Sequence, residues 1–140
     1  MDIIVLIGRI LFVVLFLYSS LGHLTASEQL AGYASSRGVP ASVARPAVLI
    51  SGLMLLVGGI LVLFGIWADL GALLLVIFLL PTAYLMHGFW RDSGEARLNE
   101  QVQFNKDLAL AGASLMLFAF FSFVGHDLGL TITGPLFNIS

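Results

Sequence analysis

The sequence predicts an all-α integral membrane protein: a four-transmembrane-helix bundle with a short interfacial helix between spans one and two. Three observations carry this reading. Of 140 residues, 59% are hydrophobic and only 10% are charged, where a soluble domain carries about 25% charged residues. Mean hydropathy is +1.05. Four apolar runs, over 3–21, 47–68, 70–86 and 107–125, approach or exceed the roughly 20 helical residues needed to cross a hydrocarbon core of about 30 Å. The runs are continuous rather than alternating, and in lipid only helices or closed barrels satisfy the backbone. The whole chain, 1–140, reads as one membrane domain.

Each element follows in order. The first run has an acidic start (Asp2), an interrupting Arg9 and no small-x-small cleavage pattern, so it reads as a retained span rather than a cleaved signal. The connection 22–46 carries a helix start at Ser27-Glu28-Gln29 and a stop at Gly38-Val39-Pro40. A helix over 27–37 would put Leu30, Tyr33 and Ala34 on one face, which suits the membrane interface. Spans two and three are joined through 65–70, too tightly for anything but an antiparallel hairpin. Pro81 should kink span three or free a carbonyl. The connection 87–106 is charged and opens with Phe89-Trp90, residue types that anchor at interfaces. Small residues at Gly52, Gly58-Gly59, Gly71-Ala72, Ala109 and Gly112-Ala113 are expected where helices touch. The tail 128–140 is too short and too rich in Gly and Pro to span, and is expected along the outer surface.

An even number of spans puts both termini on one side. Arg37, Arg45, Arg91, Arg97 and Lys106 lie with the long connections. The positive-inside rule then places those connections in the cytoplasm and both termini outside.

Composition also excludes several chemistries. The chain has no cysteine, which removes thiol–disulfide exchange, thiolate-bound iron–sulfur clusters and covalent c-type haem. There is no basic stripe for nucleic acid. No Walker loop, dinucleotide fingerprint or nucleophile elbow is visible.

Ionisable groups in a span need a reason. Arg9 either snorkels to the headgroups or holds an anion, a quinone carbonyl or a carboxylate, with Asp69 and Asp127 as candidate partners. At the other membrane edge the antiparallel topology gathers His23, Tyr84, His87, Trp90, Gln103, Asn105, Lys106 and Asp107. Asp107 reads most simply as a first-turn residue that caps span four and pairs with Lys106. His23 and His87 share a depth, which raises b-type haem, but interfacial hydrogen bonding is the favoured reading. No metal-ligand spacing is present.

These residues, taken with their neighbours, resemble the DoxX family of small bacterial membrane proteins. The resemblance rests on Gly8-Arg9, Gly22-His23, Ala31-Gly32-Tyr33-Ala34, Gly38-Val39-Pro40, Gly58-Gly59 with Gly65, His87-Gly88-Phe89-Trp90, and Phe104-Asn105-Lys106-Asp107-Leu108-Ala109-Leu110 with Gly112. Two departures stand out. Met54-Leu55 occupy the stretch where many members carry a glutamate, and Asp107 stands where asparagine is common. The family is named from a subunit linked to quinol oxidation, relatives resemble parts of thiosulfate:quinone oxidoreductases, and others accompany oxidative-stress enzymes. The resemblance therefore implies a redox-linked accessory subunit, associated with an oxidoreductase rather than an independent enzyme. A quinone or lipid-like ligand would be bound by Arg9, His23, Tyr84, His87, Trp90, Asn105, Lys106 and Asp107. Partners would be the lipid bilayer and other membrane subunits. The alternative is a non-catalytic structural or assembly subunit of a larger complex. A small-solute transporter has less support, because no matching pair of interrupted helices is evident.

Overall fold

The computed structural model describes residues 1–137 and 139. It comprises α1 (Asp2–Thr25), α2 (Ser27–Ser36), α3 (Ala41–Phe64), α4 (Ala68–Met86) and α5 (Gly94–Val124), with 3-10 turns at Phe89–Arg91 and Gly125–Asp127. No strand occurs among the described residues. The helices α1, α3, α4 and α5 are each long and apolar enough to cross a membrane. The shortest, α4, has 19 residues, or roughly 28 Å at 1.5 Å per residue.

Neighbours in sequence are neighbours in space. Helix α1 packs on α3, α3 on α4 and α4 on α5, while α2 lies against α3. Helices α1 and α5 contribute side chains to the same two core clusters, one of them toward the end that holds the chain termini. There Val13, Val62, Ala68, Ala72, Phe121 and Leu128 form one core cluster. Phe16, Leu55, Leu75, Leu79 and Ala111 form a second, nearer the connections. Large apolar side chains such as Leu11, Met116 and Phe123 point outward, which is the expected arrangement when the solvent is lipid.

Helices α3 and α4 cross at close range. A Cβ at Gly71 would lie 2.7 Å from Leu61 Cβ and 2.9 Å from the Gly58 carbonyl oxygen, so the two backbones meet through their glycines. Gly112 departs from the same expectation, because nothing lies within 4 Å of where its Cβ would stand. Ala109 is exposed as well. Helix α5 turns Asp107, Ala111, Ser114 and Phe121 inward instead, a spacing of four, three and seven residues along one face.

Several boundaries differ from the hydropathy reading, and α1 runs on to Thr25 rather than residue 21. The second span ends at Phe64, not residue 68, because Gly65 takes the left-handed conformation at φ 63 and reverses the chain. Hydropathy runs through Ile66-Trp67-Ala68 unbroken and cannot see that turn. Helix α3 also starts earlier, at Ala41, and Pro46 in its second turn leaves the Ser42 carbonyl without its helical donor. The largest difference is α5. The connection 87–106 is mostly helix, since 94–106 forms the polar first turns of a 31-residue helix. Glu95, Ala96, Arg97, Leu98, Glu100 and Gln101 are good helix formers whatever their polarity. Asp107 is consequently not a cap; it lies roughly three and a half turns inside α5.

Pro81 lacks an N–H, so the carbonyl of Ile77 loses its helical donor. One residue on, Thr82 Oγ1 donates to the Phe78 carbonyl at 2.7 Å.

Candidate functional site

His23 is in the last turn of α1 and His87 immediately follows α4. Antiparallel packing brings them to one end of the bundle, where two cavities share a wall made of His23, Phe78, Thr82 and His87. The smaller, about 130 Å³, lies between α1 and α5, with Leu15, Phe16 and Ser19 on one side and Lys106, Asp107 and Leu110 on the other. The larger, about 360 Å³, is roofed by Leu30, Tyr33 and Ala34 of α2 and walled by Ala44, Val48 and Ser51 of α3. It is predominantly apolar. The short helix expected at the interface is thus also the cover of a chamber.

The two histidines are held differently. His23 Nδ1 lies 2.8 Å from Ser51 Oγ and 3.3 Å from the Val48 carbonyl oxygen, and its ring meets Phe78 edge-on at 5.8 Å. His87 Nδ1 lies 2.7 Å from Glu100 Oε2, and its Nε2 lies 3.8 Å from Asp107 Oδ2. Glu100 and Asp107 are seven residues apart on one face of α5 and so bracket the ring. The 2.7 Å contact is a hydrogen bond; the 3.8 Å separation is ion-pair distance only. Glu100 Oε1 also accepts from the Tyr33 hydroxyl at 2.9 Å. Burial, reinforced by that hydrogen bond to a carboxylate, pushes the Tyr33 phenol up to about 12. Lys106 Nζ donates to Gln103 Oε1 and lies 4.0 Å from Asp107 Oδ1.

An ion-pair latch fastens the α2 end. Arg37 Nη1 reaches both Asp92 oxygens at 3.0 Å, while its Nε donates to the Met86 carbonyl at 2.7 Å. Arg91 Nη1 returns a bond to the Arg37 carbonyl at 2.8 Å. This ties the roof of the larger cavity to the turn between α4 and α5.

Of the residues singled out in sequence, His23, His87, Lys106 and Asp107 come together around the smaller cavity. Tyr84 and Trp90 stack on each other at 5.5 Å, and Trp90 also packs edge-on against Phe104. They are exposed on the outside of the bundle, where aromatic rings anchor at the membrane interface. Asn105 is also exposed and lines neither cavity. Arg9 lies at the opposite end. It does not snorkel, being 1% exposed, and no described carboxylate lies within ion-pair distance of it. Its Nη2 donates to the Leu130 carbonyl at 2.5 Å instead. Asp69 is fully buried and accepts from the backbone N–H groups of Leu136 and Phe137 at 3.0 and 2.6 Å. Arg9 and Asp69 are therefore each taken up by the C-terminal tail rather than by each other, and Asp127, the other candidate partner, is exposed.

The sequence reading does not single out Glu100, Ser51 or Thr82, and it names Tyr33 for the interfacial face of α2 and the family resemblance but not as a site residue. Glu100 was legible in principle: once a helix is started at residue 94, its seven-residue spacing from Asp107 places both on one face. Ser51 and Thr82 carry no such signal among the many small polar residues of membrane helices.

The sequence model of the DoxX family matches residues 4–88, more than half of the chain. The chain belongs to the DoxX family. Among relatives, "Inner membrane protein YqjF" of Escherichia coli K12 is 31% identical to this DoxX protein over 116 residues, covering 83% of this chain and 82% of the relative. "Inner membrane protein YphA" of the same organism is 28% identical over 115 residues, covering 82% and 81%. No solved structure matches. The family segment of this DoxX protein contains His23, Ser51, Thr82 and His87, whereas Glu100, Lys106 and Asp107 lie beyond it.

Proposed function

We propose that this DoxX-family protein is a redox-linked accessory subunit of the bacterial inner membrane that binds a quinone or a similarly shaped amphipathic ligand. One observation carries the reading: two cavities share a wall containing His23 and His87, at one end of the bundle. A membrane ligand with a polar head and an apolar body needs both kinds of wall, a few placed polar groups within a largely apolar chamber. His23, His87 and Asp107 supply the polar groups; Leu30, Ala34, Val48 and Leu85 supply the apolar surface. A bound quinone would supply two-electron redox chemistry, and a histidine and a carboxylate at the membrane edge could exchange its protons. The two relatives named as inner membrane proteins support the location. The basic connections support an orientation with this end toward the cytoplasm and both termini in the periplasm.

The test is purification of the intact chain in mild detergent, followed by extraction and identification of co-purified small molecules. A quinone is expected in the wild type and depleted in His87→Ala and Asp107→Asn. If no quinone co-purifies and neither variant alters quinone-linked activity in membranes, the reading fails in favour of a non-catalytic assembly subunit.

A further inference from the structure

We propose that the site takes its ligand in hydroxyl form, as a phenol or hydroquinone whose O–H donates to Nε2 of His23. The proposal rests on the ligand-binding reading above and adds to it the hydrogen-bonding character of the ligand. It follows from hydrogen-bond accounting on one ring. The Val48 carbonyl can only accept, and it lies 3.3 Å from His23 Nδ1. The Ser51 hydroxyl is placed to donate to that same carbonyl at 2.8 Å, and with its hydrogen spent there its oxygen accepts from His23 Nδ1, 2.8 Å away. Both neighbours of Nδ1 therefore require a proton on Nδ1. No described carboxylate lies within ion-pair distance of the ring, and burial without a counter-ion favours the neutral imidazole. The neutral Nδ1–H tautomer leaves Nε2 with a bare lone pair and no hydrogen-bond partner among the described residues, at the free tip of a ring that lines both cavities.

The surroundings agree with an acceptor site. Thr82 Oγ1 spends its hydrogen on Phe78 and presents only lone pairs. The Asp107 carboxylate is 7% exposed and has no hydrogen-bond donor closer than the 3.8 Å His87 contact. The cationic donor at hand, Lys106, is 45% exposed at the rim and already donates to Gln103. A ligand offering only carbonyl or ether oxygens would leave His23 Nε2 unmatched, whereas a hydroxyl completes it. Leaving a buried acceptor unpaired is the strongest way a site rejects the wrong analogue.

The experiment uses the full chain in lipid nanodiscs, with para-hexylphenol and its methyl ether as probes of equal shape. Nitrogen NMR of histidine-labelled protein is tractable because the chain has three histidines. The expected spectrum shows His23 protonated at Nδ1 and bare at Nε2, with the Nε2 resonance moved by the phenol and not by the ether. Wild type should bind the phenol about tenfold more tightly than the ether, the worth of one neutral hydrogen bond that would otherwise go unmade. His23→Phe, which keeps the ring against Phe78, should bring that ratio close to one. A protonated Nε2, equal affinities in the wild type, or a ratio that survives His23→Phe would overturn the proposal and leave the ligand-binding reading intact. Failure of both probes to bind would remove both. If His23→Phe does not fold, the wild-type tautomer and affinity ratio decide the matter alone.

Discussion

The two ends of this bundle both bury charge, and they dispose of it in opposite ways. At the end holding the termini, Arg9 and Asp69 sit almost wholly out of contact with solvent or lipid, and their hydrogen bonds go to the backbone of the C-terminal tail. Ile132 and Thr133 add backbone bonds to the Phe64–Gly65 turn. These bonds fasten one segment to another, while Arg9 Nε and Nη1 and Ser122 Oγ stay buried with no hydrogen-bond partner among the described residues. At the end holding the connections, His87 and Asp107 line a cavity, Glu100 holds His87 by its Nδ1, and His23 keeps one nitrogen unpaired. Charge bonded to the backbone of another segment locks a fold; charge gathered around a cavity makes a site. The family resemblance placed Arg9 with the histidines as a ligand-binding residue, but the structure separates them by the length of the bundle.

The largest expected effect sharpens this contrast at the locked end. Deleting 129–140 removes the backbone partners of Arg9 and Asp69 together. Stranding a buried charge costs about 3–5 kcal/mol, so the midpoint of thermal unfolding in detergent should fall steeply. Asp69→Ala should reproduce much of that fall, while Asp107→Asn should change it little. Comparable losses from the tail deletion and Asp107→Asn would break the distinction between lock and site.

The next effect tests the latch over the larger cavity. Arg37 is 11% exposed and reaches Asp92 through paired 3.0 Å bonds. Hydrogen bonds to charged groups contribute about 1.5–3 kcal/mol each. Arg37→Ala should therefore raise amide hydrogen exchange in Ser27–Ser36 selectively, with the turn at Phe64–Gly65 unaffected. Uniform acceleration throughout the chain would show that α2 is part of the global fold rather than a separately fastened cover.

The smallest effect concerns Tyr33. Its phenol loses its proton near pH 12 rather than at the usual 10.0 because burial and the Glu100 carboxylate favour the neutral form. The folded value lies above the unfolded one, so the associated stability is fully present below about pH 10 and is lost as pH rises through 12. The difference between ultraviolet titrations of wild type and Tyr33→Phe should isolate this late phenol, and Glu100→Gln should bring it earlier. A Tyr33 phenol that titrates at 10 would show that the Tyr33–Glu100 bond does not hold α2 over the site.

Much of the fold was legible in residue order. The interfacial helix, the tight α3–α4 hairpin and the gathering of His23, His87, Lys106 and Asp107 at one edge all follow from hydropathy and an even count of spans. The polar start of α5 was missed because hydropathy reports where lipid begins, not where helix begins. Reading Asp107 as a cap followed from the same confusion. The tail was read as lying on a surface, since nothing in Leu128 to Ser140 announces that its backbone would serve Arg9 and Asp69.

The sequence by itself determined the solvent, the number of spans and the edge at which polar groups collect. These depend on transfer free energies that accumulate residue by residue along the chain. Only the tertiary structure decided which polar atom meets which: Glu100 with His87, Ser51 with His23, the tail with Asp69. Those pairings depend on the rotation and depth of each helix against its neighbours. Side-chain packing sets both at the scale of an ångström, and no count along the sequence contains it.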